Sequence, residues 1–254
     1  MFKIGDLVTR KSYNNDLIFR INDIIDDLYI LSGINIRLCA DCYEEDLVKY
    51  ENDIDRDEEY IDDNFKLERD NYFYLPGKIL HIDSDSDYLE RCLNYYKKVN
   101  IWAKGILKKE NEVASVIYDL LEEYKPDIVV ITGHDAYYNK NDKNNINSYK
   151  NSSFYVDAIK EARRYEKSHQ KLVIIAGGCG SYYEELIKSG ANFASSPKRI
   201  NIHALDPAII AAHISLSSAC DNIDLEGILE TTKYGIDGMG GIITKGTMYK
   251  GYPR

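Results

Sequence analysis

The sequence predicts an α/β protein: a doubly wound, mostly parallel sheet preceded by a small SH3-like β-barrel. Three observations predict it. From Gly77 onward, near-continuous apolar runs alternate with segments of helical periodicity, the pattern of a parallel sheet covered by helices on both faces. Before residue 50 the apolar runs are short, β-branched or aromatic, and separated by Asn, Asp or Gly, as in a compact antiparallel unit. Between the two lies an acidic, poorly apolar stretch, ENDIDRDEEYIDDNFKLERD, which reads as a solvated linker. The expected organisation is a barrel over residues 1–50, a linker over 51–76 and an α/β domain over 77–254.

In the first part, KIGDLVTRKS, DLIFRINDII, DLYILSGI and NIRLCA are the expected strands. In the second, KILHID (78–83) is a short buried strand and YLERCLNYYKKV (88–99) a helix. NIWAKGI (100–106) reads as a further strand. EVASVIYDLLEEY (112–124) puts Val113, Val116, Ile117, Leu120 and Leu121 on one helical face, and Pro126 stops it. DIVVITG (127–133) and KLVIIAGG (171–178) are the two strongest strands, with a helix started by Ser152 or Ser153 between them. SYYEELIKSG (181–190) is a helix with Gly190 as its C-cap. ANFASSP and INIHA are short extended pieces, and Asp206-Pro207 opens a last apolar helix. The Gly-rich C-terminus reads as loop and hairpin along the domain edge.

Composition narrows the function classes. The net charge of −10 argues against general nucleic-acid binding, which needs clustered Lys and Arg against phosphate. No apolar run approaches the ~20 residues of a membrane helix, and the first residues lack a secretory apolar core. The five cysteines are odd in number in a chain of ordinary domain size, so a disulfide scaffold is not expected. Cys39 and Cys42 form a CxxC with no second ligand pair nearby, so ordinary strand-end cysteines are the simpler reading.

In an open α/β sheet, function sits at the carboxyl ends of the strands. DIVVITG ends in His134-Asp135, and KLVIIAGG ends in Cys179-Gly180-Ser181. On neighbouring strands, imidazole and thiol would share one rim. A thiol becomes nucleophilic as the thiolate, and a nearby His takes its proton and later protonates the leaving amine. Gly178 and Gly180 allow a sharp turn and close substrate approach. A helix starting just after Cys179 would lower its pKa. The Cys179 amide would face the oxyanion, with a loop amide near Asp135 as its partner. A strand ending in His, followed about 45 residues later by one ending in Cys, is the caspase-type layout, although Asp135 stands where that class has Gly.

Two competing assignments use other residues. Gly-Gly-Cys-Gly-Ser resembles the nucleophile elbow of class I glutamine amidotransferases, but no downstream His-x-Glu follows. Asp83 and Asp85 resemble the haloacid dehalogenase nucleophile motif, which would make a Mg²⁺-dependent phosphatase. The later acidic pair of that family has no counterpart, and helix capping explains the run more simply. A non-catalytic assembly module, with the barrel as its binding part, is the third reading.

Several stretches together resemble the YabG family of sporulation-specific proteases. They are FKIGDLVTRKSY, ILHIDSDSDYLERCLNYYK, KPDIVVITGHDAYY, AGGCGSYYEELIKSGANFASSPKRINIHALDPA and TKYGIDGMGGIITKGTMYKGYP. The resemblance spans nearly the whole chain. It implies a cysteine peptidase with Cys179 and His134 as catalytic residues and no cofactor. It implies protein substrates of the spore coat and of sporulation. It further implies a location in the mother-cell cytoplasm with coat association, without membrane or nucleic-acid partners. Cleavage after Arg, also implied, asks for an acidic pocket, for which Asp135, Asp206 and Asp237 are the acidic candidates near expected loops.

Overall fold

A computed structural model describes residues 2–51, 71–138 and 142–253. The N-terminal strands are β1 (Leu7–Arg10), β2 (Phe19–Ile25), β3 (Leu28–Gly33), β4 (Cys39–Tyr43) and β5 (Leu47–Lys49). They pair antiparallel in the order β4-β3-β2-β1-β5. The tight β2–β3 connection places Asp26 and Asp27 at φ 47° and 66°, the left-handed pair that a two-residue hairpin turn requires. Val8, Phe19, Ile21, Tyr29, Leu31, Cys42 and Leu47 form the small core of this sheet. Its outermost strands, β4 and β5, do not neighbour one another in that order, so the closure that would define a barrel stays an expectation.

NIRLCA, expected as a strand, is one only from Cys39. Residues 34–38 leave the sheet and run onto the other half of the molecule, where Ile36 bridges His203 and Leu38 bridges Asp135. Of the expected linker, residues 52–70 lie outside the described residues, and β6 (Phe73–Leu75) pairs with β13 (Tyr249–Gly251) near the C-terminus.

The second sheet contains β7 (Ile79–Asp83), β8 (Ala103–Leu107), β9 (Ile128–Thr132), β10 (Val173–Gly177), β11 (Phe193–Ser195) and β12 (Met239–Gly241). Its order is β12-β11-β10-β9-β7-β8. All neighbours are parallel except the edge strand β12, the last of these in the chain, which runs against β11. Along β9, Ile128 and Val130 face one core while Val129 and Ile131 face the other. This two-sided burial is why the strands read as unbroken apolar runs.

One face is covered by α1 (Ser86–Lys98) and α5 (Asp206–Leu216), the other by α2 (Glu110–Tyr124) and α3 (Ser152–Tyr165). The short helices α4 (Tyr183–Lys188), α6 (Leu225–Glu230) and α7 (Gly235–Gly238) lie in the connections. The expected face of α2 holds: Val113, Ile117 and Leu121 are buried. The strand order reverses direction at β7 and β9, the switch point beside which such sheets open a crevice. No helix among the described residues is long and apolar enough to cross a membrane.

Candidate active site

The parallel registers align three residues across the carboxyl rim. Thr132 at the end of β9 stands opposite Asp83 of β7 on one side and Gly177 of β10 on the other. Asp85, His134 and Cys179 each lie two residues beyond that row. Strand pairing therefore carries a carboxylate, an imidazole and a thiol to one edge, in that order.

The glycine at 178 is what lets the two loops touch. A Cβ there would meet the Gly133 carbonyl oxygen at 2.6 Å and the Asp135 nitrogen at 3.0 Å, closer than side-chain carbons come. Gly180 adopts φ +68°, the left-handed region that favours glycine. Asp135 then ties the His loop to the Cys loop. Its carboxylate accepts from Ser152 Oγ, Ser181 Oγ at 2.8 Å and the backbone N–H groups of Ala136 and Asn151.

His134 is held from its backbone. Its N–H donates to Glu110 Oε1 at 2.8 Å, and its carbonyl accepts from Asn151 Nδ2 at 2.7 Å. The ring packs against Tyr88, with centroids 5.4 Å apart. Nε2 lies 3.7 Å from Asp85 Oδ2 and has no hydrogen-bond partner among the described residues. Burial lowers the His134 pKa, and the Asp85 carboxylate opposes that effect. A ring held neutral near neutral pH suits a general base.

Cys179 is sealed in. Its Sγ accepts the Ile202 N–H at 3.2 Å and faces the Ile202 carbonyl at 3.7 Å, within the core that includes Ile36, Ile202 and Leu205. Burial pushes the thiol well above its usual range, with the Ile202 amide acting the other way. This reverses the expected lowering by a helix end. α4 begins only at Tyr183, and its six residues start too far from the sulfur. The Cys179 N–H donates to the Arg37 carbonyl at 3.2 Å.

Asp83 is the acidic centre of the rim. Oδ2 accepts from Thr132 Oγ1 at 2.8 Å and from Arg37 Nη1 at 2.5 Å, and Oδ1 accepts the Asp85 N–H. Burial would raise this carboxyl, but Arg37 and His81 outweigh it and hold it well below the usual carboxylate range. Asp85 caps α1 through the N–H groups of Asp87 and Tyr88, as the capping reading expected.

The other acidic candidates lie differently. Asp206 is buried and clamps the N–H groups of His203 and Lys233, and burial raises its carboxyl to about 6. Asp237 is exposed on α7. Sequence reasoning missed Arg37 and the role of Asp83 as its partner. The sole signal was an arginine inside an apolar run that follows a Gly turn.

Comparison with known proteins places the chain in a family. The model of the YabG peptidase U57 family matches residues 3–66 and 52–253. The chain belongs to that family. The sporulation-specific protease YabG of Bacillus subtilis (strain 168) is 39% identical over 284 aligned positions, which cover 99% of this chain and 98% of the relative. Family membership and this relative support a peptidase role in sporulation. In this YabG-family chain, residues at all three rim positions, 85, 134 and 179, lie inside the matched span.

Proposed function

We propose that the chain is a cysteine endopeptidase that cleaves after arginine, with Cys179 as nucleophile and His134 as general base and acid. Its substrates are spore-coat and other sporulation proteins, met in the mother-cell cytoplasm and at the coat. The observation that carries this reading is the rim row Asp85–His134–Cys179, two residues beyond the registered ends of three adjacent strands.

His134 takes the proton from Cys179 Sγ. The thiolate attacks the scissile carbonyl, and the oxyanion faces the Cys179 N–H. His134 then passes its proton to the leaving amine, giving a thioester. Water, deprotonated by the same ring, releases the acid and restores the thiol. Asp85, 3.7 Å from His134 Nε2, stabilises the imidazolium formed in between. No cofactor enters these steps. The N-terminal sheet, as an SH3-like accessory unit, lends its β3–β4 segment to the site.

The phosphatase alternative is weakened by its missing ligands: among the described residues no group of three or more His, Cys, Asp or Glu is placed to hold a metal ion beside Asp83. In the test, an arginine-containing basic protein is incubated with wild type and Cys179→Ala. Loss of cleavage in the variant is expected. Retained cleavage would end the proposal. Phosphatase activity that follows Mg²⁺ and ignores thiol alkylation would move the function to Asp83.

A further inference from the structure

The segment Ile34–Leu38 between β3 and β4 lies across the site in the manner of a bound peptide. The Asn35 carbonyl accepts the Ala204 N–H at 3.0 Å, and the Arg37 N–H donates to the Ile202 carbonyl at 3.2 Å. Ile36 bridges His203 antiparallel. This is strand addition to an exposed chain edge, a common mode of peptide recognition. The Arg37 carbonyl accepts from the Cys179 N–H at 3.2 Å, the donor assigned above to the oxyanion. The Arg37 side chain is fully buried. Its guanidinium meets Asp83, donates twice to the Ala204 carbonyl and sits over the Tyr88 ring.

We infer that Ile34–Leu38 is an inhibitory strap that fills the substrate groove, with Arg37 in the pocket that a substrate arginine would enter and Asp83 as the residue that selects it. This rests on the peptidase reading and deepens it. Arg37 supplies two backbone bonds and one buried ion pair, the contacts that a substrate residue before the scissile bond would need, and Asn35 adds a third backbone bond two residues upstream. The strap is fastened from α1, whose Arg91 donates to the Ile34 carbonyl at 2.6 Å and whose Tyr88 hydroxyl donates to the Ile36 carbonyl at 2.7 Å. The Leu38 N–H, which would become the leaving amine, donates to the Ile36 carbonyl at 2.9 Å. That bond keeps the segment folded on itself and favours occupancy over turnover. A protein substrate enters only when the strap leaves, and the deep burial of Cys179 fits a latent state.

The test uses the full chain and a fluorogenic peptide ending in arginine. Wild type is compared with Arg37→Ala and with Arg91→Ala, which loosens the strap from outside the pocket. The expected result is a rise in kcat/KM of about 10-fold or more for Arg37→Ala and a smaller rise for Arg91→Ala. Asp83→Asn in the Arg37→Ala background should then lose the preference for arginine over alanine at the cleaved position. A purely structural role for Arg37 predicts the opposite, a fall in activity and stability. If both strap variants fold, by far-UV circular dichroism, and cleave no faster than wild type, the strap is overturned while the peptidase stands. If no form cleaves arginyl peptides, or cleavage survives alkylation of Cys179, the peptidase reading fails and the strap with it.

Discussion

His134 and Cys179 occupy equivalent places on adjacent strands, yet their surroundings are opposite. His134 keeps 8% of its surface exposed, its ring lies 3.7 Å from the Asp85 carboxylate, and its N–H donates to Glu110. Cys179 has no exposed surface and sits among Ile36, Ile202 and Leu205. In the proposed roles, the base faces a carboxylate and the nucleophile is covered. Its cover is shared: Ile202 and Leu205 come from the α/β unit, and Ile36 comes from the connection between β3 and β4. The difference teaches that the α/β sheet brings the two side chains to one rim, while the proposed availability of the thiol depends on a connection between strands of the other sheet.

The largest way to break this comparison is to cut the strut between the two loops. Asp135→Ala removes the acceptor for Ser152, Ser181 and two backbone N–H groups. Donors left unpaired cost about 1–3 kcal/mol each when fully buried, so four of them should cost at least about 4 kcal/mol together. Thermal denaturation should show a fall in Tm on the order of 10 °C, with activity lost in parallel. An unchanged Tm would mean that the loops are joined by packing alone.

A smaller change addresses the base side alone. Asp85→Asn keeps a cap for α1 and removes the charge facing His134. Without that carboxylate the imidazolium is less stable, so the His134 pKa falls further. A base that must be neutral is then ready at lower pH. The acid limb of the kcat/KM profile should move to lower pH, and the maximum should drop about 10- to 100-fold. A limb that stays in place would show that Asp85 serves only as a helix cap.

Much of the sheet was legible because its signals are local. KILHID, DIVVITG and KLVIIAGG are apolar on both faces, and each ends in a polar or glycine break. Their ends named Asp83, His134 and Cys179 before any register was known. β1 to β3 were legible from the Asn, Asp and Gly residues that bound their runs, whereas β5 drew no expectation and NIRLCA holds a strand only from Cys39. What stayed hidden depends on contacts between distant parts of the chain. Arg37 meets Asp83, Cys179 and Ala204, and no periodicity in NIRLCA announces them. The pKa of Cys179 was misjudged for the same reason. A helix start is visible in sequence, whereas burial under a remote loop is not.

The most direct test of the central claim is covalent. The full chain is treated with a peptidyl-arginine acyloxymethyl ketone, which alkylates an activated thiolate, and the modified residue is located by mass spectrometry. The account predicts a single adduct on Cys179 that forms in step with loss of activity and does not form in His134→Ala. An adduct on another cysteine, or inactivation that leaves Cys179 unmodified, would contradict it.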